Sequence, residues 1–116
     1  MDVKILNVPV VLTGATEIPL VKLPSGAGGI TVLSGYLINA GTTVGGKLVT
    51  MSAAGTPALN GTIGSFAGTL TESATVPAAC TISSAYVAAG YWIGFDQTSG
   101  TVPAGSFLTI AYVMGK

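Results

Sequence analysis

The sequence predicts an all-β chain: an antiparallel β-sandwich, jelly-roll-like, with about eight strands and no significant helix. Three observations predict it. No 3.6-residue apolar stripe as long as ten residues occurs, and Gly, Thr, Val and Pro stand where helix formers would be needed. Apolar runs recur along the chain, each bounded by Gly, Pro, Asn or Ser. Turn-forming groups separate these runs every 8 to 14 residues with no helical crossover between them, which favours antiparallel pairing over a parallel sheet.

The first two strands are expected at "VKILNVPVVLT" (3–13) and "EIPLVKL" (17–23). Pro9 and Pro19 lie inside them, and a missing N–H breaks an interior ladder, so both strands are predicted at sheet edges or bulges. The third is "ITVLSGYLIN" (30–39), where simple alternation puts Ile30, Val32, Tyr36 and Ile38 on one face and Leu33 and Leu37 on the other. "KLVTMSA" (47–53), "TIGSFAGTLT" (62–71), "CTISSAYVA" (80–88), "YWIGFDQ" (91–97) and "SFLTIAYVM" (106–114) complete the set. Between them, "LPSGAGG" and "TVPAGS" place Pro two residues before Gly, which suits a type I turn. "INAGTTVGGK" and "DQTSG" read as hairpin loops.

A chain of 116 residues and 11.4 kDa fits one domain, residues 1–116, able to bury a core without disulfides or metals. Charged residues form 7% of it, against roughly 25% in a typical soluble protein. The eight are Asp2, Lys4, Glu17, Lys22, Lys47, Glu72, Asp96 and Lys116, summing to zero. A folded monomer of this size exposes on the order of 6,000 Å², which leaves about one charge per 700 Å². So little charge gives poor protection from association, and the sequence therefore predicts that much of the surface is an interface.

The stretch "YVAAGYWIGF" (86–95) sharpens that expectation, because both of its alternating sets are apolar. One face would enter the core and the other would need a neighbouring subunit, which makes Tyr86, Tyr91, Trp92, Ile93 and Phe95 candidate oligomer-interface residues. Closed cyclic symmetry buries such faces, and a trimer is the stoichiometry expected.

Several function classes are disfavoured by what the chain lacks. It has no His and a single Cys, so the usual general base and the thiolate zinc sites are missing. Asp2, Glu17, Glu72 and Asp96 are scattered over four segments, and no carboxylate pair is indicated by spacing. "GAGG" (26–29) lacks the GK[ST] ending and the following helix of a phosphate loop. One carboxylate in "GFDQTSG" makes a poor calcium cage, and an Asx-type turn is the reading preferred there. No enzyme, cofactor or metal is expected. Four dispersed lysines and no arginine argue against nucleic acid as a partner. The charge-free runs are interrupted too often for a spanning helix, and "MDVKILNVPVVLTG" has no continuous hydrophobic core of a signal peptide. Cys80 reads as a small buried hydrophobe and suits synthesis in a reducing cytoplasm.

Residues 87–116, where "VAAG" leads into an aromatic strand and "VPAGS" turns into "FLTIAYV", resemble the small jelly-roll or β-sandwich structural proteins of tailed-phage virions. Head-decoration (capsid cement) proteins are the nearest in style. The resemblance covers about a quarter of the chain and carries no diagnostic motif. It implies a non-enzymatic homotrimer, made in the host bacterial cytoplasm, that binds the major capsid protein on the capsid exterior and stabilises the shell. For that role residues 1–12 suit a docking arm or edge strand, with Val3, Ile5, Leu6, Val8 and Val10 as capsid-contact candidates. A tail, fibre or head-spike module is an alternative setting. A carbohydrate-binding β-sandwich using surface aromatics such as Tyr91 or Trp92 is a different class, and a pilin-like or surface-layer subunit is a weaker rival.

Overall fold

Alternating β-branched and small residues fold into antiparallel strands throughout, and no helix occurs among the described residues. The computed structural model describes residues 2–10, 17–23, 28–38, 44–52, 57–66, 78–100, 102 and 105–115. Its strands are β1 (Lys4–Pro9), β2 (Glu17–Lys22), β3 (Ile30–Ile38), β4 (Val44–Met51), β5 (Leu59–Phe66), β6 (Ala78–Ile82), β7 (Tyr86–Val87), β8 (Trp92–Gly100) and β9 (Phe107–Met114).

The pairing is nested. β1 pairs with β9, β2 with β8, β3 with both β6 and β7, and β4 with β5. The chain is thus one long hairpin whose tip is the β4–β5 connection. Rolling that ribbon up adds the pairs β3–β9, β4–β8 and β5–β6, giving the order β1-β9-β3-β6-β5-β4-β8-β2. This is the wound double Greek key of a jelly roll. One sheet holds β1, β9, β3 and β7; the other holds β5, β4, β8 and β2. β6 turns the corner between them. Its Ala78 and Ala79 pair with Leu37 and Tyr36, and its Cys80, Thr81 and Ile82 pair with Phe66, Ser65 and Gly64.

Both prolines stand where their missing N–H does no harm. β1 and β2 are the two end strands of the order, and the register slips between Pro19 and Val21.

The core lies between the two inner faces. Ile30, Val32, Leu37, Val87, Leu108 and Ile110 come from the first sheet, and Leu48, Ile63, Phe66, Ile93 and Phe95 from the second. Phe66 and Phe95 meet with ring centroids 6.0 Å apart at 44°, within the tilted range that aromatic pairs prefer.

Four local expectations are corrected by this arrangement. A bulge between Val32 and Ser34 reverses the alternation of β3, so Ile30 and Val32 face the core but Tyr36 and Ile38 face outward while Leu37 faces in. The expected strand 80–88 is two strands, because Ser83 and Ser84 both donate their N–H groups to the Ile63 carbonyl, at 2.9 and 3.0 Å, and leave the ladder. "DQTSG" is strand: Gln97, Ser99 and Gly100 pair with Gly46, Gly45 and Val44. The hairpin expected between the third and fourth strands is a crossing from one sheet to the other, since β3 and β4 do not pair with each other. Residues 11–13, 24–27, 39–43, 53, 67–71, 101 and 103–104, which carry other strand and turn expectations, lie outside the described residues.

Candidate functional site

Three strands of the first sheet set out a regular outward-facing array. Its rows are Ile5–Ala111–Ser34, Asn7–Thr109–Tyr36 and Pro9–Phe107–Ile38, across β1, β9 and β3. The direction follows from the residues between them: Leu108, Ile110 and Leu37 fill the core, so their neighbours on each strand point away from it. None of the nine is charged. Ile5 is 60% exposed, Tyr36 40% and Phe107 37%, a concentration of large apolar side chains in contact with water. Thr109 Oγ1 donates to Asn7 Oδ1 at 2.7 Å and ties the edge strand β1 to β9 across the middle row.

At one end the array runs into a groove of about 360 Å³ lined by Asn7, Val8, Pro9, Gly105, Ser106 and Phe107. The Val10 N–H donates to the Ser106 carbonyl at 3.0 Å behind it, and Gly105 turns the chain there with φ +90°.

The second sheet is different outside. Lys47, Asp96 and Glu17 form one row across β4, β8 and β2, and Lys22 pairs with Trp92. Among the described residues, charge is thus gathered on the outer face of the second sheet, while the nine residues of the array carry none and the exposed Lys4 of β1 stands beside it. Topology also brings Glu17 and Asp96 opposite each other, a juxtaposition that their separation in sequence concealed. Asp2 is remote in sequence from them and Glu72 lies outside the described residues, among which no group of three or more metal-ligating side chains occurs.

The residues expected at an oligomer interface do not form one surface. Ile93 and Phe95 are 0% exposed and belong to the core, where no second subunit reaches them. Tyr86 pairs with Thr31 on the first sheet, whereas Trp92 is half-buried on the outer side of the second. The chain reverses between them at Ala89 and Gly90, with φ +85° at Gly90, so the continuous two-faced strand suggested by "YVAAGYWIGF" does not exist. The outer side of β8 is covered from within the chain: a Cβ on Gly94 would come within 2.6 Å of Met51 Sδ, which lies over it.

The docking candidates divide similarly. β1 is an edge strand paired with β9 over six residues. Val3 and Ile5 are exposed, Leu6 and Val8 are half-buried, and Val10, 1% exposed, is part of the core. Within the outward array, the sequence marks Tyr36 and Ile38 only as one face of the doubly apolar run "ITVLSGYLIN", which invites a covering subunit, and it does not mark Phe107 or Ala111. Alternation in "FLTIAYV" carried the signal for the β9 residues, and the β3 bulge hid it for Tyr36.

Cys80 sits at the sheet corner, where burial pushes its thiol up to about 11 from an ordinary 9.0. That makes it a poor nucleophile at neutral pH. Gln97 Oε1 accepts the Val102 N–H at 2.9 Å, so this side chain of "DQTSG" stabilises the local backbone. No helix long and apolar enough to cross a membrane is present among the described residues.

The fold and the array define an antiparallel jelly roll with an uncharged nine-residue array on one outer face. No family model, no curated protein and no solved structure matches the chain.

Proposed function

We propose that the chain is a non-enzymatic structural subunit that works by surface contact, a decoration protein of a phage capsid that assembles as a homotrimer on the exterior of the shell. The observation that carries the contact role is the uncharged array of Ile5, Tyr36 and Phe107 with their neighbours on β1, β9 and β3. Charged side chains are what a protein surface ordinarily uses to resist association, and a face without them loses little solvation when covered. The virion setting rests on the resemblance of residues 87–116. In that setting the protein is made in the bacterial cytoplasm, its partner is the major capsid protein, and it needs no cofactor.

The test begins with native mass by light scattering over a dilution series, followed by co-sedimentation with expanded capsids. A mass near three times 11.4 kDa, lost in Tyr36→Asp and Phe107→Asp, supports the assembly role. A monomer at every concentration that also fails to sediment with capsids overturns it. Attachment to tails instead of heads in virion images would move the same contact role to a tail or fibre module.

A further inference from the structure

A second feature lies apart from the array and shares no residue with it. At one end of the sandwich, between the tip strands β4 and β5 and the link that carries β7 to β8, is a cleft of about 250 Å³. Its lining includes Thr50, Asn60, Thr62, Ser84, Tyr86 and Tyr91. The lining is polar without being charged: Thr50, Thr62 and Ser84 carry hydroxyls, Asn60 an amide and Tyr86 and Tyr91 phenols.

The walls are held by backbone. Ser84 is fixed beside β5 by its N–H bond to the Ile63 carbonyl at 3.0 Å. Tyr91 is held on both sides, its carbonyl accepting from the Leu23 N–H at 2.9 Å and its N–H reaching the Ala88 carbonyl at 3.4 Å. Thr50 is buried at 8% exposure on the inner face of β4, a polar residue at a position that alternation reserves for the core. Its Oγ1 accepts from Asn60 Nδ2 at 3.3 Å and donates to the Gly61 carbonyl at 3.4 Å. Both bonds are longer than the usual range for their donors. Gly61 keeps this corner open, because a Cβ there would stand 3.3 Å from Thr50 Oγ1.

We infer that this cleft binds a neutral, polyhydroxylated ring of single-sugar size. Its volume is below the roughly 300 Å³ at which pockets begin to hold drug-sized ligands, which favours one ring over an extended molecule. An anion would find no cation in the lining and a purely apolar ligand would strand the hydroxyls and the amide. A pyranose offers what the lining asks for, hydroxyls to exchange hydrogen bonds with Thr50, Asn60 and Ser84 and a C–H face to lie against a tyrosine.

Amide NMR of the full chain titrated with glucose, galactose, mannose and N-acetylglucosamine at millimolar concentration tests this, beside a glycan array. Saturable shifts at Asn60, Thr62, Ser84 and Tyr91 are expected, with affinity weakened about tenfold by Thr50→Val or Asn60→Ala through the loss of one hydrogen-bonding group. Asn60 is exposed, so Asn60→Ala keeps the fold and decides the matter if Thr50→Val does not fold. Shifts with a silent array assign a free sugar, and array binding assigns the end of a glycan. No shift with any sugar and a silent array, or shifts that neither variant reduces, overturns the inference.

Discussion

Gly64 shows how a glycine-rich chain becomes a tightly packed sandwich. A Cβ there would lie 2.5 Å from the Thr81 carbonyl oxygen and 2.6 Å from Cys80 Sγ, and the first of these is backbone that cannot swing aside. Gly64→Ala is therefore expected to lower stability by about 1–3 kcal/mol through overpacking. Gly28→Ala, which meets nothing within 4 Å, is expected to stay within about 0.5 kcal/mol, and chemical denaturation of the two variants checks the contrast. The neighbouring Cys80 gives a second prediction. A thiol raised to about 11 by burial leaves little thiolate at pH 8, so alkylation by iodoacetamide is expected to run about 100-fold slower than for the unfolded chain. The folded state holds the Cys80 proton more tightly than the unfolded state does. This contribution to stability is complete below pH 9.0 and is lost as pH rises through about 11, which denaturation at increasing alkaline pH measures. Equal alkylation rates for folded and unfolded protein would place the sulfur in water.

At the level of strands, much was legible because proline and glycine act locally. Pro9 and Pro19 marked the two edge strands before any pairing was known, and seven of the eight expected runs each overlap one observed strand. What was not legible depended on distant partners. The break after β6 comes from Ser83 and Ser84 bonding to Ile63, some twenty residues away, and the bulge after Val32 is visible only once β9 lies alongside β3. Ile93 and Phe95 read equally well as core or interface, because a strand with Gly94 between them shows no polar face by which to choose. The candidate site was half legible: Ile5 was named, but its partners Tyr36 and Phe107 needed the register. β1 also changes the meaning of a truncation. An appended arm could be removed with the fold intact, whereas a strand paired over six residues cannot. Deleting residues 2–9 is expected to expose the edge of β9 and lower the thermal midpoint by circular dichroism. An unchanged midpoint would show that β1 is dispensable.

Taken whole, the chain has a radius of gyration of 13.4 Å and an accessible surface of 5736 Å², close to the roughly 13 Å and 6,000 Å² expected of a folded monomer of this size. The distribution of charge over that surface, more than its amount, separates the two outer faces. Glu17, Lys22, Lys47 and Asp96 share the second sheet, and the three-row array has none. Assembly through the array is accordingly expected to be insensitive to ionic strength, since screening acts on charges and none is present there. Light scattering in low and high salt checks this. A mass that collapses as salt rises would place the interface on the second sheet instead.

The nested pairing sets a timetable for the newborn chain. β9 is the last of the strands to leave the ribosome, yet it is the strand that lies between β1 and β3 in the first sheet. Until it arrives β1 has no neighbour in the ladder, and the inner face of the second sheet waits uncovered by Leu108 and Ile110. Folding of this sandwich is thus postponed until synthesis of its strands is finished, and the earlier part of the chain must be kept from other chains during that interval.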